Sequence, residues 1–166
     1  MKQNYDSRVL ILGSSSIDAE TYSYIAEKIN TDEIGNFNDM IITPANNPNA
    51  TKEYVNKIKN DPNADEKIYE RALKCVDQAE YIIVDLSAAS TGMGLEVGYL
   101  LSQYANSKYI TFIAKEGSKI SPHIKGMYKH ITGKEIEVGF YNTKEEIVDV
   151  IKHSDGYQKY YCYLIY

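Results

Sequence analysis

The sequence predicts an α/β fold, a single flavodoxin-like or Rossmann-like three-layer sandwich built around a five-stranded parallel sheet. Three observations lead to this prediction. Five short apolar runs recur along the chain, and helical patterns lie between them. The first four runs are continuous rather than alternating, which is typical of parallel strands covered on both faces. Strands that alternate with helices favour a parallel sheet with right-handed crossovers.

The predicted elements follow one another with little interruption. The five strands are expected at 8–13, 39–44, 81–87, 108–114 and 135–141, and the helices at 18–30, 64–80, 93–105 and 143–154. The first helix places Tyr22, Ile25, Ala26 and Ile29 on one apolar stripe. Thr143 and Glu146 stand in capping-box spacing at the start of the last helix. Segment 45–63, rich in Asn and with two prolines, is expected to be a loop that can include one short helical piece, and to be either a lid or an inert excursion.

Length and composition indicate one soluble globular domain spanning residues 1–166. The chain has a net charge of −5, which argues against a nucleic-acid surface because phosphate backbones require clustered Lys and Arg. It contains no run of the roughly 20 apolar residues that a membrane span needs, and no signal-peptide pattern at its start. We therefore expect a cytoplasmic protein with neither a nucleic-acid nor a membrane partner.

Cysteines and histidines give no metal-site pattern. Cys75 and Cys162 have no metal-ligand or redox spacing, and the three histidines share none either. The serine-rich turn at 13–20 resembles a phosphate loop for FMN, but no glycine follows the serines and the chain lacks tryptophan, so FMN is disfavoured. The sequence thus predicts no metal and no cofactor.

The loop and helix start at 87–96, "SAASTGMGLE", form the most informative stretch. In parallel sheets, ligands bind outside the carboxyl ends of the strands, where this loop and the one at 13–20 are expected. Gly92 and Gly94 allow a close backbone approach, and backbone N–H groups at a helix start can hold a phosphate. A tight turn without function explains the glycines equally well. Glu96, two residues after Gly94, adds a carboxylate that can attack an anomeric carbon.

These residues resemble a known family. The stretches "AEYIIVDLSAASTGMGLEVGYLL" and "ITFIAKEGSKISPHIKGM" look like the nucleoside 2-deoxyribosyltransferase superfamily, closest to its 2'-deoxynucleoside 5'-monophosphate N-hydrolase branch. The resemblance is clear over 79–127 and fainter before it. It implies that Glu96 is the nucleophile that forms a deoxyribosyl-enzyme intermediate, and that the substrate is a small-molecule nucleotide or nucleoside.

The resemblance also assigns the remaining site. The transferases have Asp where this chain has Ser90, and the hydrolases have Ser, so Ser90 favours a 5'-phosphate, which a carboxylate would repel. Ser121 matches a second phosphate-binding serine, which the neighbouring subunit supplies in that branch. Gly13 and Ser14 are expected to border the sugar or base. Asp85, or alternatively Glu70, is the candidate for a second acidic group, although Asp85 at a strand end is also explained as a loop cap.

This chain departs from the family at three positions. Where this chain has Leu10 and Ser16, the hydrolases have a tyrosine and an arginine, and near the position of Ala72 they have an aspartate. The leading expectation is hydrolysis of the N-glycosidic bond of a deoxynucleoside 5'-monophosphate. Base exchange by a deoxyribosyltransferase is the first alternative, and a non-catalytic nucleotide-binding module or sensor is the second.

The C-terminal segment 157–166 is an aromatic tail that contains five tyrosines. Such a segment is typical of packing or of a subunit contact, because an exposed aromatic surface is a liability in a monomer. Together with the resemblance it predicts a homodimer or a higher homo-oligomer.

Overall fold

The structure is a computed structural model that describes residues 9–13, 19–30 and 48–165. Its elements, in chain order, are β1 (Val9–Gly13), α1 (Ala19–Asn30), α2 (Pro48–Ile58), α3 (Ala64–Gln78), β2 (Tyr81–Asp85), α4 (Thr91–Tyr104), β3 (Tyr109–Lys115), α5 (Pro122–Thr132), β4 (Val138–Tyr141), a single 3₁₀ turn (Lys144–Glu146), α6 (Ile147–His153) and α7 (Asp155–Ile165). The predicted strands at 8–13, 81–87, 108–114 and 135–141 and the four predicted helices each correspond to a described element, in the predicted order. Helices α5 and α7 were not among the predicted elements.

The four described strands form one parallel sheet in the order β1-β2-β3-β4. A Rossmann-like α/β layout fits this sheet. The predicted strand at 39–44 lies outside the described residues, so the fifth strand stays a prediction. In the register of the sheet, Gly13 of β1 lies beside Asp85 of β2, and Lys115 of β3 lies beside Tyr141 of β4.

Helices cover both faces of the sheet, as the continuous apolar strands predict. Successive residues of a strand point to opposite faces, and in β2 this separates Tyr81 and Ile83 from Ile82 and Val84. The first pair packs with side chains of α1, α6 and α7, and the second pair packs with side chains of α3, α4 and α5. The result is a three-layer arrangement with one apolar core on each side of the sheet.

The aromatic tail is a helix, α7, that packs on the sheet. Tyr157 and Tyr160 are buried in the first core, and the ring of Tyr160 stacks on that of Tyr81 at 4.9 Å between centroids. Tyr161 and Tyr163 are exposed. Much of the aromatic character of the tail therefore serves the chain's own core, which weakens the tail as an argument for a dimer.

One local prediction holds in part and a second is wrong. The segment expected to be a loop with one short helical piece contains the helix α2, which is longer than expected at 11 residues and rests on α3, where the Arg71 guanidinium lies 3.8 Å from the centre of the Tyr54 ring. The second concerns the capping box, because the Thr143 side chain makes no capping hydrogen bond. The Glu146 carboxylate instead accepts a hydrogen bond from the backbone N–H of Asn142, 2.7 Å away. No helix within the described ranges is long and apolar enough to span a membrane.

Candidate functional site

The carboxyl ends of the four strands meet at one edge of the sheet, because all four run in the same direction. Gly13, Asp85, Lys115 and Tyr141 end their strands there. In parallel α/β sheets this edge is where ligands bind. Two of these four residues, Gly13 and Asp85, are among the site residues that the sequence predicts.

Asp85 is fully buried at this edge. Its Oδ1 accepts a hydrogen bond from the backbone N–H of Ser87 at 2.8 Å, and its Oδ2 accepts one from the hydroxyl of Tyr141 at 2.9 Å. Burial raises the pKa of the Asp85 carboxyl, and the hydrogen bonds from Ser87 and Tyr141 oppose that rise. Each carboxylate oxygen thus already accepts a hydrogen bond from the protein, an arrangement that suits a residue tying strand ends together.

Ser87 extends this connection to β3. Its hydroxyl oxygen accepts a hydrogen bond from the backbone N–H of Lys115 at 2.6 Å and lies 3.2 Å from the hydroxyl oxygen of Tyr141. Ser87 after β2 is therefore linked to Lys115 at the end of β3 and to Tyr141 at the end of β4. The sequence analysis missed Ser87 and Tyr141, and the signal available for both was their position at the carboxyl end of a predicted strand.

Glu96 lies in the second turn of α4, which begins after Ser90. The Ser90 hydroxyl oxygen accepts a hydrogen bond from the backbone N–H of Met93 at 3.2 Å and so caps the helix. Glu96 is half-buried, and burial raises the pKa of its carboxyl to about 7. None of the described residues hydrogen-bonds to this carboxyl. Near neutral pH it therefore exists in both ionised and protonated forms, as is suitable for a group with a chemical role.

Tyr22 of α1 reaches the same edge from the other face of the sheet. A β-carbon at position 13 would lie 1.4 Å from the Tyr22 hydroxyl oxygen, so the hydroxyl occupies the space that the glycine leaves at the end of β1. Burial, with the charges of Asp85, Tyr141 and Glu96, raises the pKa of the Tyr22 hydroxyl. Sequence reasoning placed Tyr22 on the apolar stripe of the first helix, which is correct for its ring, and missed the position of its hydroxyl.

Ser90 and Ser121, the two predicted phosphate ligands, line one cavity of about 190 Å³ between the starts of α4 and α5. Ser121 precedes α5 and makes no side-chain capping hydrogen bond. Gly94 also lines this cavity, together with Lys119 and His123. The remaining lining residues are small or apolar: Leu86, Ala89, Met93, Val97, Gly98, Leu101, Ile124 and Met127. The structure therefore brings three predicted residues together within a single chain.

The cavity and Glu96 lie on different flanks of α4. Gly94 and Gly98 face the cavity beside α5, whereas Tyr99, which is close to Glu96 on the helix surface, donates a hydrogen bond to Asp77 of α3 at 2.8 Å. Between the two flanks lies the first turn of α4. Gly92 and Gly94 are exposed there, and a β-carbon at either position would meet nothing within 4 Å. Open backbone thus connects the serine cavity to the neighbourhood of Glu96.

The remaining residues compared with the resembled family lie on β1, on α3 and in the first loop. Leu10 is buried in the core formed with α3, α4 and α5. Glu70 is exposed on α3. Cys75, also on α3, is a buried thiol whose pKa is raised mainly by burial and also by the Glu96 charge. Ser14 and Ser16 lie outside the described residues.

A larger cavity, of about 750 Å³, lies at the opposite end of the sheet. It includes Tyr109 and Ile110 at the start of β3, Val138 at the start of β4, and the α6–α7 junction at Ser154. None of the predicted site residues lines it. The size of this cavity is therefore not an argument for the chemistry expected of Glu96.

Metal ligation finds no support in the described part of the chain, where no group of three or more His, Cys, Asp or Glu side chains converges. The candidate site is the carboxyl edge of the sheet with the start of α4. Tyr22 and Asp85 lie at the strand ends, Glu96 lies on α4, and Ser90 and Ser121 line the cavity between α4 and α5. No protein-family model matches the chain, and no curated protein matches it in sequence.

Proposed function

We propose that this protein hydrolyses the N-glycosidic bond of a deoxynucleoside 5'-monophosphate, with Glu96 as the nucleophile. The observation that carries the proposal is the state of Glu96: a half-buried carboxyl at the start of α4, with a pKa raised to about 7 and no hydrogen bond from the described residues. A carboxylate that is neither paired nor fully solvated is available to attack carbon.

In this mechanism a Glu96 oxygen forms a bond to the anomeric carbon as the bond from that carbon to the base nitrogen breaks. The base departs with the electron pair of that bond and takes up a proton. A water molecule then attacks the anomeric carbon of the glycosyl ester, gives up a proton and frees the Glu96 carboxylate. The products are the free base and deoxyribose 5-phosphate.

The serine cavity supports a phosphate-bearing substrate. Ser90 and Ser121 provide hydroxyls, Lys119 lines the same cavity, and the N-terminal ends of α4 and α5 converge there. Backbone N–H groups at helix starts favour an anion. In the proposed complex the nucleotide lies across the first turn of α4, over Gly92 and Gly94, with its phosphate in the cavity and its sugar beside Glu96. Gly13 then borders the sugar or base, and the proposed assembly is a homodimer or a higher homo-oligomer.

A binding module or sensor is the second candidate, and one observation favours it. Departure of a base requires a proton donor, yet both oxygens of Asp85 already accept protein hydrogen bonds and Glu70 is exposed on α3. Neither of the two candidates for the second acidic group is therefore poised as a proton donor. Under this alternative the protein binds the nucleotide without turning it over.

The test is to incubate the protein with each deoxynucleoside 5'-monophosphate and each deoxynucleoside, and to measure free base by chromatography. We expect release from at least one monophosphate by the wild type and none by Glu96→Gln. Glu80→Gln is the matched control, because Glu80 is exposed just before the start of β2, at the opposite end of that strand from Asp85.

Other outcomes of this experiment separate the alternatives. Release that depends on an added second base identifies a deoxyribosyltransferase. Nucleotide binding by the wild type with no release from any substrate contradicts the enzyme and supports the sensor. Equal release by the wild type and Glu96→Gln would remove Glu96 from the reaction.

A further inference from the structure

The hydroxyl of Tyr22 is an exception among the buried polar groups of this protein. The residue is only 3% exposed, and its hydroxyl oxygen has no hydrogen-bond partner among the described residues. Buried polar groups are nearly always paired, and an unpaired one in a native protein calls for an explanation. Tyr81 shows the usual arrangement, because its buried hydroxyl lies 2.8 Å from the hydroxyl oxygen of Thr111.

The position of this hydroxyl supplies the explanation. It fills the space over Gly13 at the end of β1, within the electrostatic influence of Asp85 and Glu96. Asp85 accepts hydrogen bonds from Ser87 and Tyr141 and none from the Tyr22 hydroxyl. Glu96 accepts no hydrogen bond from the described residues. A buried donor without an acceptor among the described residues and a carboxylate without a donor thus both belong to the edge where ligands enter parallel sheets, and the Glu96 charge contributes to the raised pKa of the Tyr22 hydroxyl.

We propose that Tyr22 is a ligand-binding residue whose hydroxyl donates a hydrogen bond to an oxygen atom of the sugar held beside Glu96. This inference rests on the proposed function, in which Glu96 faces the anomeric carbon. The ring oxygen and the hydroxyls of a sugar lie within a few bonds of that carbon, so a sugar held there brings an oxygen atom toward the edge of the sheet at which the Tyr22 hydroxyl lies. In the absence of ligand the unpaired hydroxyl destabilises the fold, and the bound sugar removes that cost.

The test compares Tyr22→Phe with Tyr81→Phe, two substitutions that each remove one buried hydroxyl. Without ligand, Tyr22→Phe is expected to leave Tm unchanged or to raise it by about 2–4 °C. Tyr81→Phe is expected to lower Tm, because it breaks a formed hydrogen bond with Thr111. With the deoxynucleoside 5'-monophosphate that the wild type binds, Tyr22→Phe is expected to raise the dissociation constant about 3- to 10-fold.

Three outcomes contradict the inference in different ways. A fall of Tm in ligand-free Tyr22→Phe as large as that in Tyr81→Phe would show that the hydroxyl has a structural partner. Equal nucleotide affinity in the wild type and Tyr22→Phe would remove Tyr22 from the ligand site while leaving the proposed function intact. No binding of any deoxynucleotide to the wild type would overturn the proposed function and this inference together.

Discussion

The hydroxyl of Tyr141 at the end of β4 donates a 2.9 Å hydrogen bond to Oδ2 of Asp85 at the end of β2. The two strands are not neighbours, because β3 lies between them. Both residues are buried, so the hydrogen bond forms in a medium of low polarity, where an unpaired carboxylate is costly. This contact fixes the edge of the sheet on which the candidate site is built.

Replacing Tyr141 by Phe is expected to lower the free energy of unfolding by about 1.5–3 kcal/mol, the usual range for a hydrogen bond to a charged group. The loss should be largest at pH values where Asp85 is ionised and smaller in acid. Urea unfolding at several pH values measures it. Tyr128→Phe is the matched control, since the hydroxyl of this half-buried tyrosine makes no hydrogen bond among the described residues. Equal effects of the two substitutions would contradict the role given to the Asp85 contact.

Glu96 should make stability depend on pH. The pKa of its carboxyl is about 7 in the folded protein and 4.5 for the ordinary side chain, so the folded state holds the proton more tightly. This contribution to stability is fully present below pH 4.5 and is lost as the pH rises through about 7. A glutamine at position 96 does not ionise, so Glu96→Gln does not lose stability as the pH rises. We expect equal stability of the two proteins near pH 4 and, with about 1.4 kcal/mol per pKa unit, a Gln variant about 1–3 kcal/mol more stable at pH 8.

Urea unfolding at half-unit pH intervals would show this divergence. Glu80→Gln, which changes an exposed glutamate, should run parallel to the wild type over the same pH range. A Glu96→Gln curve that also stays parallel to the wild type would mean that the carboxyl is as well solvated as a surface group.

The same ionisation should govern the proposed reaction. A carboxylate nucleophile must be deprotonated, so kcat/KM for base release is expected to rise with pH through about 7 and then level off. The measurement is kcat/KM from pH 5 to 9 with the deoxynucleotide that reacts fastest. A profile that falls over this range would indicate that protonated Glu96 is the active form, acting as an acid rather than as a nucleophile.

The fold was predictable to the extent that it depends on local pattern. The runs that became β1, β2 and β3 are apolar on both faces, and that property is visible in the sequence without any knowledge of the packing. The length of helix α2 was not predictable in this way, because segment 45–63 is rich in Asn and the helix packs against α3, where Arg71 lies over the ring of Tyr54. Tertiary contact here outweighs local propensity.

The candidate site shows the same division. Ser90 and Glu96 are six residues apart in a glycine-containing stretch, so their proximity to one helix start could be predicted. Tyr141 is 56 residues from Asp85 in the chain, and no local pattern signals their hydrogen bond. The burial of the Tyr22 ring was predicted from the periodicity of the first helix. The position of its hydroxyl was not, because periodicity carries no information about where a hydroxyl points.

Lys108 should stabilise the end of α3. Its Nζ donates hydrogen bonds of 2.7 Å to the backbone carbonyls of Val76, Asp77 and Ala79, which are among the carbonyls left without helical partners at a C-terminus. Lys108→Met keeps much of the aliphatic length and removes the donors, and we expect it to lower the free energy of unfolding by about 2–3 kcal/mol. Thermal and urea unfolding measure the change. Lys74→Met, at an exposed position of the same helix, should have little effect, and equal losses would contradict the capping role.

Gly156 should be essential for docking α7 on the sheet, whereas Gly126 should be replaceable. A β-carbon at position 156 would lie 2.2 Å from the backbone carbonyl oxygen of Ile110 in β3, and backbone cannot move aside as a side chain can. Gly156→Ala is therefore expected to lower the free energy of unfolding by about 1–3 kcal/mol or more.

Gly126, inside α5, has nothing within 4 Å of its β-carbon position. Gly126→Ala should therefore raise the free energy of unfolding by about 0.5–1 kcal/mol through better helix propensity. Thermal unfolding of both variants checks the contrast, and a stable Gly156→Ala protein would show that α7 does not approach β3 as closely as the structure has it.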